Sequence, residues 1–253
     1  MARLIKTEKE IEKIRQSCKI AAKVLKKLKS IVAPGISTLE IDKFAKDLIH
    51  ELGGKPAFLG YRPDGARRPY PFTICASVND NVVHGLPSSY VLKSGDLFKI
   101  DLGVNFEGGI SDTATTVPVG QVARELLNLI KVTENALKEG IRNAKPGHTV
   151  GHIGFAIKRT VEAGGFKVVE GLTGHGVGND LHEDPIVYNY GTPGKGVVLK
   201  EGMVLAIEPI TAVSTKEITQ LKDDSFVTID KSMSAHFEHT VLINRKGAEI
   251  LTI

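Results

Sequence analysis

The sequence has no tryptophan, only two cysteines among its 253 residues, and few aromatics of any kind, 6 % in all. Cys18 and Cys75 form neither a CxxC pair nor a framework. The fold is therefore expected to rest on its core, in a reducing compartment, without disulfides. No stretch approaches about 18 uninterrupted apolar residues, so no transmembrane helix is expected. The opening Met-Ala-Arg-Leu-Ile-Lys-Thr-Glu-Lys-Glu has no apolar signal region. Charge of one sign is also scarce: the formal net charge is +4, and no dense Lys/Arg block stands out. Lys26, Lys27 and Lys29 read as the solvated face of a helix, not as a nucleic-acid or membrane patch. With 42 % apolar and 25 % charged residues the chain is neither disordered nor a coiled coil. A cytoplasmic globular protein is expected.

What the chain has is glycine, 26 residues, and an internal correspondence. Leu25-Lys26, Pro34-Gly35 and Ile41 match Leu137-Lys138, Pro146-Gly147 and Ile153 at an offset of 112. Glu51, Gly53 and Gly54 match Glu162, Gly164 and Gly165 at 111, and VLKSGDLFKID (Val91 to Asp101) matches VLKEGMVLAIE (Val198 to Glu208) at 107. Loop deletions account for the drift. Each half opens with a predicted helix, Glu8–Ile31 or Gln121–Ala144, stopped by a Pro-Gly turn. A second helix follows, capped in the first half by the box Ser37-Thr38-Leu39-Glu40. Strands are predicted over Phe98–Phe106 and Ile110–Val117 about a Gly108-Gly109 turn, and over Val204–Ile210 and His236–Ile243. The expected class is α+β: two ααβ halves, about 8–118 and 120–253, packed as a single domain with helices covering one side of antiparallel sheet.

The correspondence pairs Asp101 with Glu208, and both lie in apolar strands where an uncompensated carboxylate is costly. Asp112 stands on the partner strand of Asp101, although the odd spacing of 11 requires a suitable loop or bulge. Glu238 lies in the apolar AHFEHTVLI, and His175 lies in TGHGVG between glycines that allow close backbone approach. Four carboxylates and one imidazole brought together need neutralising. Divalent cations suited to oxygen-rich sites with one His (Mn, Fe, Co or Zn) would do it.

The segments NDNVVHGLP, KIDLGV, GISDTATT, GHGVGNDLHEDP, AIEP and FEHTV, in that order over nearly the whole chain, resemble the type I methionine aminopeptidases. That resemblance implies the pita-bread fold, a pseudo-twofold duplication with a dinuclear metal site between its halves. It implies Asp101, Asp112, His175, Glu208 and Glu238 as ligands, with Asp112 and Glu238 bridging. It also implies His84 and His182 as non-ligand histidines that contact substrate. The implied reaction is removal of the initiator methionine from nascent polypeptides, at the ribosome, by a monomer, when the second residue is small. A metal-activated water would attack the first carbonyl, Glu208 would move its proton, and His182 would donate to the developing oxyanion.

Cys75 sits where the family has a pocket cysteine, and Leu181 replaces a common aromatic beside His182. Phe226 stands near a position where tryptophan is frequent. Tyr61 and Tyr70 flank RPDGARRP (Arg62 to Pro69), read as a surface loop at the pocket rim. The other histidines, His50, His148, His152, His236 and His239, are expected to be ordinary core or surface residues. Two alternatives share the ligand pattern. An Xaa-Pro aminopeptidase would normally carry an extra N-terminal domain, and an inactive binding module would be expected to have lost ligands. The type II enzymes carry an insertion before the AIEP-like segment, whereas here His182 and Glu208 are 26 residues apart. With no zinc-binding N-terminal extension, a bacterial-type enzyme is expected.

Overall fold

The computed structural model describes residues 4–62 and 65–253. Pro63 and Asp64, inside the predicted rim loop, lie outside the described residues. Four helices form among the described residues: α1 (Glu8–Ile31), α2 (Thr38–Glu51), α3 (Arg124–Asn143) and α4 (Val150–Ala163). The first matches its predicted bounds, because Thr7 and Glu10 close a capping box before the apolar stripe begins. The Ser37–Glu40 box before α2 also forms. In α4 an imidazole does the same work: the Thr149 amide donates to His152 Nδ1 at 3.0 Å.

Among the described residues the main sheet has nine strands. Across its centre run Leu97–Phe106, Gly109–Pro118, Glu238–Asn244, Val204–Ile207 and Thr173–Gly176, each antiparallel to the next. Helices cover one face. Ile100, Leu102 and Val104 pack with α1 and α2, and Leu205, Ile207 and Val241 pack with α3 and α4. Side chains alternate along a strand, so Asp101, between Ile100 and Leu102, points away from the helices.

Three predicted features are corrected. The hairpin turn is Glu107-Gly108, not Gly108-Gly109: Phe106 pairs with Gly109, and Glu107 and Gly108 have φ of 51° and 87°. Two positive φ values mark the tight turn that suits strand twist. The two predicted strands of the second half are each broken. Val204–Ile210 divides into Val204–Ile207 and Ile210–Ala212, because Pro209 cannot donate to a ladder. His236–Ile243 breaks at Phe237, between Ser234–His236 and Glu238–Asn244, which join different sheets. Ile210–Ala212 joins Ser234–His236 and Lys167–Val168 in a small sheet, and a third sheet unites Ile218–Gln220, Phe226–Thr228 and Asn81–Val83. No helix among the described residues is long and apolar enough to cross a membrane.

Candidate metal centre

Strand register assembles the acids. Asp101 pairs with Ala114, and Ala114 pairs on its other side with Glu238. Directly opposed residues share a face, so the two carboxylates project from one row with a small alanine between them. Asp112 faces Gly103, which sets it diagonally from Asp101 on that same face. The pairing is regular from Leu97 to Phe106, so the spacing of 11 needs no bulge. His239 opposes Ile207, and continuing the register by one residue sets Glu238 against Glu208. His175 opposes Ala206, two residues before Glu208. Four neighbouring strands and the residue just past the end of a fifth thus supply the five side chains. The glycines around His175 are required: a Cβ on Gly174 would stand 2.4 Å from Ala206 O, and one on Gly176 would stand 2.1 Å from Asp184 O.

Asp112 is held through its backbone. The Thr240 hydroxyl donates to Asp112 O at 2.7 Å and accepts from Asp112 N at 2.9 Å. Asp112, His175 and Glu238 each bring a ligand atom within 4.8 Å of the others. Glu208 Oε1 lies 3.4 Å from His175 Nε2. His175 Nδ1 meets Gly176 O at 2.9 Å, so Nδ1 carries the proton and Nε2 turns a lone pair toward the acids.

The residues present suit divalent cations. Asp101 Oδ1, Asp112 Oδ1 and Glu238 Oε1 are buried without hydrogen-bond partners, and among the described residues no lysine or arginine pairs with these acids. Burial first, then mutual repulsion, pushes Asp112 and Glu238 well above the usual carboxylate range, and burial lifts Asp101 to about 7. Burial lowers His175 to about 3, so it is a neutral ligand-type imidazole at physiological pH.

The cavity above this floor has a volume of about 610 Å³. Its walls bring in every remaining predicted residue: His84, His182, Cys75 and Leu181 all line it, as do both Tyr61 and Tyr70. Phe58, Cys75 and Leu181 form a buried apolar cluster with the two tyrosines against it. Burial and the Asp101 charge hold Cys75 as a thiol, far from a nucleophilic thiolate. His182 meets His175 edge to face at 4.4 Å, and its Nδ1 lies 2.9 Å from the Tyr61 hydroxyl. His84 has φ of 59°, an uncommon value for a side-chain-bearing residue, and its ring is braced edge-on by Phe226 at 5.7 Å. Phe226 therefore backs His84, and is not among the described cavity-lining residues.

Two residues escape sequence reasoning. His236, expected to be an ordinary histidine, lines the cavity with Nε2 3.4 Å from Glu208 Oε2. Its separation of two from Glu238 was the available signal, since alternate residues of an extended segment share a face. His239, between strand neighbours, turns away and bonds Thr252 Oγ1 as expected. The other is Lys6, whose ammonium makes a buried ion pair with Glu183. Glu183 also accepts from the amides of Asn179 (2.7 Å) and Asp180 (2.9 Å), fixing the turn that presents Leu181 and His182.

Comparison with known proteins agrees with this geometry. A model of metallopeptidase family M24 matches residues 12–245. Methionine aminopeptidase 1 of Bacillus subtilis is 44 % identical, covering 98 % of each chain. The crystal structure of methionine aminopeptidase from Thermotoga maritima superposes with a TM-score of 0.94 at 42 % identity, over 100 % of this chain and 99 % of that one. The prolidase from Pyrococcus furiosus shares the fold at a TM-score of 0.78 and 28 % identity, over 99 % of this chain and 66 % of its own. The matched segments, the pita-bread architecture and the full-length identities lead to one assignment: the chain belongs to metallopeptidase family M24, among its methionine aminopeptidases.

Proposed function

We propose that this enzyme removes the initiator methionine from nascent polypeptides whose second residue is small, using two divalent cations held by Asp101, Asp112, His175, Glu208 and Glu238. Co, Mn, Fe and Zn all suit such a donor set, and supply selects among them. The observation that carries the reading is the juxtaposition, in one cavity, of partnerless buried carboxylate oxygens with an apolar wall of Phe58, Cys75 and Leu181. We read residues 8–118 and 120–253 as paired halves of a single catalytic unit. The bridges Ser37–Val91 and Thr149–Val198, at matching places in the two halves, support this. We further propose that it works as a cytoplasmic monomer on chains emerging from the ribosome.

When bound, the cations supply a water of lowered pKa and polarise the scissile carbonyl. The side chains divide the remaining work. The apolar wall takes the flexible thioether and excludes water from it. His84 orients the scissile amide. His182 donates to the carbonyl oxygen as charge develops there. Glu208 accepts a proton on its carboxylate and passes it to the leaving amine.

The test is kcat/KM on Met-Ala-Ser, Met-Leu, norleucine-Ala, Leu-Ala and Ala-Pro peptides with Mn, Fe, Co and Zn in turn. Met-Ala-Ser and norleucine-Ala should be cleaved well, since one methylene is worth only ~1–3 kcal/mol. Faster cleavage of Ala-Pro would make the enzyme an Xaa-Pro aminopeptidase. Equal rates on Met-Leu and Met-Ala-Ser would remove the small-second-residue rule alone.

A further inference from the structure

Glu208 stands between two imidazoles. His175 Nε2 is 3.4 Å from its Oε1, and His236 Nε2 is 3.4 Å from its Oε2. The two rings are not equivalent. The His175 proton is committed to Gly176 O, leaving Nε2 as a lone pair. His236 is 2 % exposed, and its Nε2 is buried with no hydrogen-bond partner. Its backbone is clamped from the other half of the chain: Thr116 Oγ1 accepts from His236 N at 2.9 Å and donates to His236 O at 2.8 Å. Glu208 itself lies beyond the end of its strand and before Pro209. Its carbonyl is tied by Asn189 Nδ2 at 2.9 Å, which leaves the carboxylate in need of its own tether.

We propose that His236 is a positioning residue for Glu208, its Nε2–H donating to Oε2 and so holding Oε1 toward His175 and the acid cluster. The present separation exceeds the N–H···O range by only a few tenths of an ångström. An ionised carboxylate is the stronger, shorter-range acceptor, and Glu208 is ionised when it holds a cation. The Nε2 atom faces the Glu208 carboxylate, so the proposal takes His236 as a donor to that oxygen and not as a ligand. The inference rests on the proposed role of Glu208, and it concerns how that carboxylate is aimed.

Three variants test it. Glutamine carries an amide N–H to roughly the reach of Nε2, asparagine has the same chemistry one methylene shorter, and leucine has no donor. Apo protein is titrated with Mn²⁺ by calorimetry, and Met-Ala-Ser turnover is measured alongside. His236→Gln should retain wild-type affinity and kcat. His236→Asn and His236→Leu should lose about 10- to 100-fold in affinity or kcat, with KM and Mn²⁺ stoichiometry unchanged. If the leucine variant does not fold, the Gln/Asn pair decides. Three results overturn the proposal: a glutamine variant as impaired as asparagine, an asparagine variant equal to wild type, or loss of a whole Mn²⁺ equivalent, which would make His236 a ligand. Failure of the wild type to cleave Met-Ala-Ser would instead remove the proposed function, and the calorimetry would still judge His236.

Discussion

Asp101 and His182 line the same cavity, yet they are held in different ways. Asp101 sits mid-strand, paired on one side from Leu97 to Phe106 and on the other from Phe98 to Leu102. Its place is set by register, and a slip of one residue would turn it into the helix-covered face. His182 sits on a turn between short strands, oriented by Tyr61 and by the Glu183 carboxylate that gathers two amides and Lys6. The floor is thus fixed by backbone ladders shared with the fold, and the rim by a few side-chain contacts. Changes to the floor should alter metal binding and apo stability together. Changes to the rim should alter catalysis while leaving the metal in place.

The largest effect belongs to the floor. Asp112→Asn or Glu238→Gln should bring turnover below detection and sharply reduce metal content, with the fold intact. Wild-type turnover in either variant would end the ligand assignment. A second reading comes from pH. The carboxyl of Glu238 is raised by burial and by its acidic neighbours, so the apo folded state keeps a proton that the unfolded chain has released. Its contribution to apo stability is present below the unfolded pKa and is lost as pH rises toward the folded one. Relative to Glu238→Gln, apo wild type should therefore lose Tm as pH rises above the unfolded Glu pKa of about 4.3. Saturating Mn²⁺ should abolish that trend, and an apo difference independent of pH would contradict it.

Next come the two histidines that touch each other. His175→Ala, on the floor, should lower metal affinity and rate together. His182→Ala, on the rim, should keep its metal and lose kcat by roughly 10²–10³-fold, the effect of one oxyanion donor. Metal loss in the His182 variant would reverse the two roles.

The same contrast explains what the sequence could and could not disclose. Asp101, Glu208 and Glu238 were legible as acids out of place in apolar strands, Asp112 as the hairpin partner of Asp101 and His175 by its flanking glycines, while their joint role as a ligand set came from the resemblance of the segments that carry them. The α1 bounds were legible because cap and stripe are local. The turn at Glu107-Gly108 was misplaced by one residue, since adjacent glycines leave the choice to pairing. The split after Ile207 followed from Pro209, a local signal overruled in the reading by an apolar run. His236 hid behind the general rule that a lone histidine is structural. Lys6 and Glu183 are 177 residues apart, and no local pattern joins them.

A smaller rim effect is expected from Tyr61→Phe. For Nε2 to donate to substrate the ring proton must sit there, and the Tyr61 hydroxyl, 2.9 Å from Nδ1, is then the donor of that contact. Loss of one such bond is worth ~0.5–1.5 kcal/mol, so kcat should fall roughly 2- to 10-fold with KM and metal content unchanged. The ¹⁵N shifts of His182 should show mixed tautomers in the variant. A single unchanged tautomer would mean that the ring is oriented by other contacts.

The smallest effect should come from the outermost tether. Arg67 Nε lies 3.6 Å from Asp224 Oδ1, with the arginine side chain 61 % exposed. Exposed pairs contribute ~0–1 kcal/mol and are screened by salt. Arg67 also makes a contact that substitution would spare: its backbone amide donates to Asp224 Oδ2 at 3.2 Å. Arg67→Met also removes a long 3.4 Å bond from Nη1 to Lys222 O, so it should leave kcat alone and raise KM by less than about 5-fold at low ionic strength, with most of the difference lost as salt is added. Asp224→Ala removes both the charge and the amide acceptor, so it should raise KM further and leave a part that salt does not erase. If the two variants behave alike at every salt concentration, the backbone contact contributes nothing, and the rim at Arg67 is held by its guanidinium, through Asp224 and the Lys222 carbonyl.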